Sequence, residues 1–402
     1  MQLPAFDKNR FDRAEFLRAY WQQKPLLIKN PWLEWRNPLE PDELAGLACE
    51  DEIESRLIIR PQSSQRQSWL VEHGPVPEAR FSKLPEQNWT LLVQAVDHYV
   101  LEVAALIEPF RFIPNWRIDD VMVSYATDQG GVGPHFDQYD VFLVQGLGQR
   151  RWQIGALCDR DTPLLPHDEL RLLAQFEPLE EWLLEPGDIL YLPPRYAHNG
   201  IAVGGDCMTY SIGFRAPSRA DLIGHWSDHA IAQLHDDDRY SDAGAIETGN
   251  SDATSNSSQT NNPGEISGAA LAQAQRLATE TLLDTAAFQH WFGKFSTARK
   301  YPEIDQRPEQ LLTSAELAKI LREATPLRNP ASRFAFIRND SELVLFVDGE
   351  AFACDAQLAP LAELICAQSI LSIDPALLTS APSMALLLAL YNQGSLVFED
   401  DD

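Results

Sequence analysis

The sequence predicts an α+β protein in which a β-sandwich or barrel in the middle of the chain is flanked by helical segments. Between residues 116 and 214, short apolar runs alternate with Gly- and Pro-rich turns such as QGGVGP, QGLGQ and EPGD. Before and after this region, apolar residues recur at helical spacing. The 402 residues are enough for two or three domains, each with its own hydrophobic core.

Composition and charge exclude several classes of protein. The chain carries 32 Lys and Arg against 59 Asp and Glu, and the net charge of −27 argues against nucleic-acid binding and favours a basic partner. No apolar run approaches the roughly 20 residues of a membrane span, and the N-terminal stretch lacks the apolar core of a signal peptide. The five cysteines form no CxxC pair, which indicates neither a disulfide framework nor a zinc finger. We therefore expect a cytoplasmic protein that binds neither DNA nor a membrane.

Periodicity and turn residues predict the elements in order. Near the N-terminus they predict helices over residues 16–21, 41–49 and 89–103. In the central region they predict strands over residues 121–125, 139–145, 150–154, 181–184, 189–192 and 209–214. Further helices are expected over residues 220–234 and 269–295. Between these two helices, residues 236–268 are rich in Ser, Asn, Asp, Thr and Gly, so we expect a disordered insertion or linker there.

The last hundred residues are expected to form a separate α+β unit. Thr313 and Glu316 make a capping box ahead of a helix. The segments RFAFIR and ELVLFVDG predict a β-hairpin with NDS at its turn, and helices are expected around Leu361 and Met384. This pattern suits a winged-helix unit. From residue 301 onward there are 6 basic and 16 acidic residues, so packing or protein contact is expected rather than nucleic-acid binding.

Two histidines and one carboxylate form a candidate metal site. His135 and Asp137 are two residues apart in GVGPHFDQYD, so on a strand both side chains point to the same face. A second segment, PGDILYLPPRYAHNG, ends its turn at His198 and matches a cupin-type motif, except that Arg195 stands where cupins usually have Gly. Such a triad binds Fe(II) and leaves coordination positions open. Zinc is the alternative metal, although catalytic zinc sites more often use three His or His with Cys.

The segment RRWQIG supplies a candidate anion-binding arginine. Arg150, Trp152 and Ile154 share one strand face, and their apolar parity predicts that Arg150 points into the barrel. A buried arginine requires an anionic partner, and its fork suits the distal carboxylate of 2-oxoglutarate. The alternative is a salt bridge to an interior acid. On the preceding strand, Ser124 is a candidate for a hydroxyl donor to the same carboxylate.

Four other residues near the triad are weaker candidates. Tyr139 follows Asp137 on the same parity and is a candidate for lining the cofactor pocket. Asp119, Asp120 and Asp140 are candidates for holding a cationic side chain, with solvated or capping roles as the alternative.

These segments together resemble a known family. The runs WRIDDVMVSYATDQGGVGPHFDQYDVFLVQGLGQRRWQIG, LEPGDILYLPPRYAHNG and YSIGFRAPSR are similar to the bacterial JmjC-type ribosomal oxygenases, cupin-fold arginine hydroxylases of large-subunit ribosomal protein L-sixteen. The resemblance is dense over residues 10–235. It implies a double-stranded β-helix (cupin/JmjC) barrel with N-terminal helices in residues 1–216, its core at about 102–216. A helical dimerisation region over residues 217–300 and a C-terminal winged-helix-like domain over residues 301–402 are also implied.

The resemblance also implies a function. The expected activity is Fe(II)- and 2-oxoglutarate-dependent hydroxylation with molecular oxygen, placing a hydroxyl on the 3-position of an arginine in L-sixteen. The implied metal ligands are His135, Asp137 and His198, and the implied 2-oxoglutarate contacts are Ser124 and Arg150. A homodimer is expected from the apolar helix around residues 288–295. Two alternatives stay open: a JmjC hydroxylase of another basic protein or an RNA, and a catalytically silent cupin-type binding module.

Overall fold

The computed structural model describes residues 3–60, 69–241, 264–339 and 342–398. The expected insertion at residues 236–268 lies mostly outside the described residues, as do two residues of the expected NDS turn. Contacts group residues 1–216 with residues 297–402 in one unit, and residues 217–296 form a second unit. Among the described residues, no helix is both long and apolar enough to cross a membrane.

A nine-stranded antiparallel sheet forms the centre of the first unit. Eight strands follow the order β1-β8-β6-β9-β5-β4-β2-β3, and β7 pairs with β6. The strands are β1 (Leu26–Ile28), β2 (Ser55–Ile59), β3 (Leu70–His73), β4 (Trp89–Val93), β5 (Ile118–Ala126), β6 (Asp140–Leu157), β7 (Glu180–Leu184), β8 (Ile189–Leu192) and β9 (Tyr196–Phe214). Sheet side chains alternate between two apolar clusters, as expected for a sheet covered on both faces.

The larger cluster lies between the sheet and the N-terminal helices. These helices are α1 (Arg13–Ala19), α2 (Pro41–Leu47), α3 (Glu78–Phe81) and α4 (Leu101–Ala105). Asp12 caps α1 by accepting from the backbone N–H groups of Ala14 and Glu15. The cap directs Phe16 into the sheet, where its ring meets Tyr191 edge-to-face with centroids 4.8 Å apart. The smaller cluster, on the other sheet face, lines the interior in which the candidate site lies.

The helix predicted over residues 89–103 is wrong. The structure has strand β4, a 3-10 turn at Val96–His98 and the short helix α4 in its place. Leu91 and Val93 join the larger cluster while Leu92 packs in another cluster, so the segment alternates with the period of a strand. Apolar residues over so short a run fit both helical and strand spacing. The segment is a strand because β4 pairs with β2 and β5.

The two strands predicted over residues 139–145 and 150–154 are one continuous strand, β6. The QGLGQ segment is an irregularity inside it, where the pairing with β9 shifts register twice. Val141 and Leu143, before the irregularity, share an apolar cluster with Trp152 and Ile154 after it. Odd and even positions of a regular strand face opposite sides, so the register shift is what turns the even positions after it toward the interior.

The helix predicted over residues 269–295 is also divided. Helices α6 (Gly268–Thr279) and α7 (Thr285–Thr297) are separated by a 3-10 turn at Thr281–Leu283. The Asp284 side chain accepts from the backbone N–H of Ala287, which starts a new helix at this point. With α5 (Arg219–Ile231), these helices make up the described part of the second unit, where Trp226, Phe288 and Trp291 form an aromatic cluster.

The C-terminal part combines helices with two small sheets. The Thr313–Glu316 capping box starts α8 as predicted, and the predicted hairpin is present. The hairpin gains a third strand through a turn at Asp348 and Gly349, both with positive φ. The elements are α8 (Ser314–Ile320), β10 (Pro326–Arg328), β11 (Phe334–Arg338), β12 (Leu343–Val347), β13 (Glu350–Cys354), α9 (Ala359–Ala367), α10 (Pro375–Leu378), α11 (Ala381–Asn392) and β14 (Leu396–Phe398).

A buried network of ionic groups joins the C-terminal part to the start of β5. Lys300 Nζ lies 3.2 Å from Asp119 Oδ2 and 2.9 Å from Asp120 Oδ2. Arg333 Nη2 lies 2.7 Å from Asp119 Oδ1. Asp120 also accepts from the Gln94 amide, so few of its lone pairs are left without a donor. Because the hydrogen bonds of these charged groups are satisfied, the network holds the C-terminal part and the start of β5 in one relative position.

Replacing Lys300 by methionine is expected to lower the free energy of unfolding by about 3 kcal/mol, because it leaves the buried Asp120 carboxylate without its cation. Urea denaturation would measure the change, with Lys319→Met as the matched control, since Lys319 is exposed on α8. Equal effects of the two substitutions would contradict a stabilising network.

Candidate metal centre

Backbone pairing brings the two histidines together. His135 N donates to His198 O at 3.0 Å, and His198 N donates to His135 O at 2.8 Å. This isolated pair of bonds joins the HFD segment to the start of β9 and places the two rings with centroids 4.2 Å apart. Asp137 Oδ2 lies 3.8 Å from His135 Nε2 and 3.6 Å from His198 Nε2. The structure therefore brings one possible ligand atom from each of His135, Asp137 and His198 to within 4.8 Å of one another, a spacing that a single metal ion can bridge.

The second nitrogen of each imidazole fixes its ring. His135 Nδ1 donates to Gly133 O at 2.8 Å, and His198 Nδ1 donates to Tyr196 O at 2.9 Å. With the protons held on Nδ1, both Nε2 lone pairs face Asp137, which is the tautomer that a metal requires. Burial, with a further contribution from His135, lowers the pKa of His198 to about 4. His198 is therefore neutral at pH 7 and ready to act as a ligand.

Two turns near the ligands depend on unusual backbone conformations. Arg195 has a φ of 71°, in the left-handed region that favours glycine, and its N–H donates to Asp137 O at 2.6 Å. This explains why glycine is usual at that position. Gly187 has a φ of 90°, and the neighbouring Asp188 is buried, where it pairs with Lys29 and accepts from the backbone N–H of Asn30. The Gly-Asp turn thus fixes the start of β8.

Arg150 lies in the sheet interior, and some of its N–H groups have no hydrogen-bond partner among the described residues. It is only 4% exposed, in agreement with the strand parity, and its Nε and Nη2 have no hydrogen-bond partner among the described residues. Among the described residues no carboxylate forms an ion pair with Arg150, so the predicted alternative of a salt bridge to an interior acid has no support. Ser124 is 5% exposed on the interior face of β5, and its Oγ donates weakly to Thr209 O at 3.5 Å. A buried cation with free donors points to an anionic ligand.

Thr209 and Gln145 are interior polar residues that sequence reasoning missed. Thr209 Oγ1 donates to Gln145 Oε1 at 3.2 Å, and Thr209 pairs with Ser124 across the sheet. Thr209 is the first residue of a predicted strand and lies between two buried apolar residues, so period-two alternation could have placed it on the interior face. Gln145 has the same parity as Val141 and Leu143, which face the interior, but the unbroken apolar run VFLV before it hides this alternation in the sequence.

Of the four weaker candidates, Tyr139 lies near the triad and the three aspartates form ion pairs with other residues. Tyr139 lies near Asp137, and desolvation together with that carboxylate raises the pKa of its phenol, although its side chain is 43% exposed. Asp119 and Asp120 pair with Lys300, and Asp140 pairs with Arg117. All three carboxylates thus already have cationic partners within the chain.

The chemistry of these residues fits a divalent iron with a dicarboxylate beside it. Two imidazoles and one carboxylate form the two-His, one-carboxylate set that leaves positions open on non-haem iron. His135 and Asp137 are both partly exposed, so one side of the triad is accessible to a ligand. The unpartnered nitrogens of Arg150 provide a place for a second carboxylate away from the triad.

Comparison with known proteins identifies two family models and several relatives that are similar to this chain. Residues 105–222 match the family described as "JmjC domain", and residues 276–397 match "ROXA-like winged helix". The "Ribosomal protein uL16 3-hydroxylase" of Escherichia coli is 36% identical over 78% of this chain and 80% of its own length. A "Probable ribosomal oxygenase" of Haemophilus influenzae is 44% identical over 52% of this chain and 50% of its own length.

Solved structures agree with these matches. The crystal structure of the Escherichia coli ribosomal oxygenase YcfD superposes with a TM-score of 0.82 at 32% identity, covering 99% of this chain and 100% of that one. A structure of YcfD in complex with cobalt and 2-oxoglutarate has a TM-score of 0.79 at 32% identity, covering 98% and 99%. The predicted cupin-type fold and the predicted C-terminal winged helix are thereby confirmed.

Proposed function

This chain belongs to the ribosomal oxygenases with a JmjC domain, and on that premise we propose that it hydroxylates the 3-position of an arginine in ribosomal protein uL16 (L-sixteen). It is a 2-oxoglutarate-dependent oxygenase with Fe(II) as its metal and molecular oxygen as its second co-substrate. The observation that carries the proposal is the combination, in one sheet interior, of the triad with a buried arginine that has unpartnered donors.

In this proposal His135, Asp137 and His198 hold the metal. When bound, Fe(II) would supply the oxidising chemistry, in which one atom of molecular oxygen converts 2-oxoglutarate to succinate and carbon dioxide and the other enters a C–H bond of the substrate. The residues hold their ligand atoms in place because both imidazoles are fixed through Nδ1 and the Asp137 backbone is fixed by Arg195. Such fixed donors would hold a metal from one side and leave its other side open to ligands.

Arg150 and Ser124 orient the co-substrate in the same proposal. The two unpartnered guanidinium nitrogens form a fork that matches a carboxylate, and the Ser124 hydroxyl can exchange its weak bond to Thr209 for a stronger one to that group. Because the pocket around Arg150 is buried, each of these bonds is stronger than it would be in water. They fix 2-oxoglutarate at the end remote from the metal.

The substrate assignment is supported by charge and by the relatives. A chain of net charge −27 attracts a basic ribosomal protein and repels RNA. The Escherichia coli relative is named a uL16 3-hydroxylase. Another basic protein is the second candidate substrate, since negative charge alone selects a cation rather than one protein. A ribosomal substrate also agrees with the expected cytoplasmic location.

Homodimerisation through the region of residues 217–300 is part of the proposal. In the helices of this region, Ile223, Ile231 and Leu283 expose large apolar side chains, with Leu283 as much as 75% exposed. Such surfaces on neighbouring helices suit contact with a second copy. Sedimentation showing a monomer at micromolar concentration would contradict the dimer. The division into residues 1–216, 217–300 and 301–402 likewise stays a prediction.

Mass spectrometry of a uL16-derived arginine peptide tests the proposed function. After incubation with the protein, Fe(II), 2-oxoglutarate and oxygen, we expect a gain of one oxygen atom on arginine. The gain should be absent with His135→Ala, because that variant lacks one of the three proposed ligands. Succinate formation without peptide oxidation would direct the search to other basic proteins. If neither is formed, the chain is a binding module and the proposal is wrong.

A further inference from the structure

We propose that the indole N–H of Trp152 is a third donor to 2-oxoglutarate, beside Arg150 and Ser124. Trp152 is 6% exposed, and its Nε1 is a buried donor with no hydrogen-bond partner among the described residues. Burying an unpaired donor costs free energy, so a buried N–H in a native protein is expected to have a partner. The inference rests on the proposed function, because 2-oxoglutarate is that partner.

The packing of the ring fixes the direction of this N–H. A Cβ atom added at Gly200 would lie 2.7 Å from Trp152 Cη2, 2.7 Å from Cζ3 and 3.0 Å from Cε3. Distances this similar to three consecutive ring atoms place the face of the benzenoid ring on the backbone of β9, where Gly200 pairs with Trp152. The Nε1–H bond lies in the plane of the ring, so it runs along the surface of β9 and is not directed at the β9 backbone. The absence of a side chain at residue 200 makes this orientation possible.

The position of the ring places the indole along the path of the co-substrate. The ring centroid of Trp152 is 5.9 Å from that of His198 and 5.8 Å from the guanidinium carbon of Arg150. The indole thus spans the gap between a proposed metal ligand and the proposed carboxylate-binding group. A molecule of 2-oxoglutarate that reaches from the metal to Arg150 has to pass the same gap. One of its carboxylate oxygens is the acceptor that the Nε1–H lacks.

Trp152 is a positioning residue in this inference, since it would order the co-substrate without taking part in the oxidation. The bond would form with a charged acceptor in a buried site, where hydrogen bonds are stronger than the average bond in a protein. Loss of one such bond is worth about tenfold in affinity. The effect should appear in binding of 2-oxoglutarate and leave metal binding unchanged.

Trp152→Phe tests the inference, because phenylalanine retains an aromatic ring and removes the N–H. Calorimetry on the cobalt-loaded protein should show that Kd for 2-oxoglutarate rises about tenfold, with cobalt affinity unchanged. In turnover, KM for 2-oxoglutarate should rise while kcat is largely retained. Trp182→Phe is the matched control: Trp182 is the cross-strand partner of Trp152 on β7, and its indole nitrogen is not among the buried unpartnered atoms. That variant should bind 2-oxoglutarate as the unaltered protein does.

A second variant keeps the test valid if Trp152→Phe folds poorly. Gly200→Ala retains the indole N–H but pushes the ring off β9, so it should also weaken 2-oxoglutarate binding. Affinity within twofold of the unaltered protein in both variants would overturn the inference, as would equal losses in Trp152→Phe and Trp182→Phe. A fall in kcat with unchanged 2-oxoglutarate affinity would also overturn it. If the unaltered cobalt-loaded protein binds no 2-oxoglutarate, the proposed function is what fails.

Discussion

Replacing Asp137 by alanine is expected to abolish turnover of 2-oxoglutarate, because it removes the only carboxylate of the proposed metal triad. Loss of a residue that merely orients a ligand typically costs 10- to 100-fold in metal affinity. Loss of the carboxylate itself should therefore cost at least about 100-fold. Titration with Co(II), followed by visible absorption, measures the affinity directly and does not depend on the substrate.

Asp168→Ala is the control for this experiment. Asp168 is exposed in the same unit of the protein, so its replacement removes the same charge without touching the triad. We expect it to bind Co(II) and to consume 2-oxoglutarate normally. Retention of tight Co(II) binding by Asp137→Ala would show that the metal lies elsewhere.

Replacing Arg150 by methionine is expected to raise KM for 2-oxoglutarate by about 100-fold or more. Two buried donors are free in the structure, and hydrogen bonds to charged groups contribute roughly 1.5–3 kcal/mol each, so two of them correspond to at least about a hundredfold in affinity. The apolar replacement also removes a buried positive charge, so the protein without co-substrate is not expected to lose stability. Steady-state rates at varied 2-oxoglutarate concentration, with a thermal melt of each variant, separate the two effects.

Arg151→Met is the matched control, because it is adjacent in sequence and faces the other side of β6. Its Nε lies 3.4 Å from Glu181 Oε1 at a partly exposed position, so its loss should change neither KM nor stability measurably. Similar KM values for Arg150→Met and the unaltered protein would mean that another cation holds the distal carboxylate.

The members of the triad could be predicted because each half of the pattern is local. Period-two alternation predicts that His135 and Asp137 share a face, and their side chains do converge, although both residues precede β6 and His135 is held only by an isolated bridge to His198. The Gly-Asp turn precedes the strand segment that carries His198. The inward orientation of Arg150 follows in the same way, from its parity with Trp152 and Ile154. The directions of these side chains depend only on the conformation of a few neighbouring residues, whereas the meeting of His135 with His198 depends on backbone pairing between segments distant in sequence.

The features that could not be predicted depend on partners distant in sequence. The segment 89–93 is a strand because β2 and β5 pair with it, and β6 is continuous because β9 continues alongside its irregularity. The unpartnered indole N–H of Trp152 could not be foreseen either, since it depends on contact with Gly200, 48 positions further along the chain. Local periodicity carries no information about such pairings.

The chain should tolerate cuts and insertions between the two parts of its first unit. Residues 217–296 interrupt a unit whose two parts are held together non-covalently, by Lys300 and Arg333 on Asp119 among other contacts. A polypeptide cut within that interruption should therefore keep its first and last parts associated, and the two fragments are expected to complement each other when produced separately. Lengthening the interruption is also inexpensive, since each doubling of a flexible connection costs only about 0.6 kcal/mol of closure entropy. A long polar stretch such as residues 236–268 can thus be gained or lost there while the catalytic interior keeps its geometry.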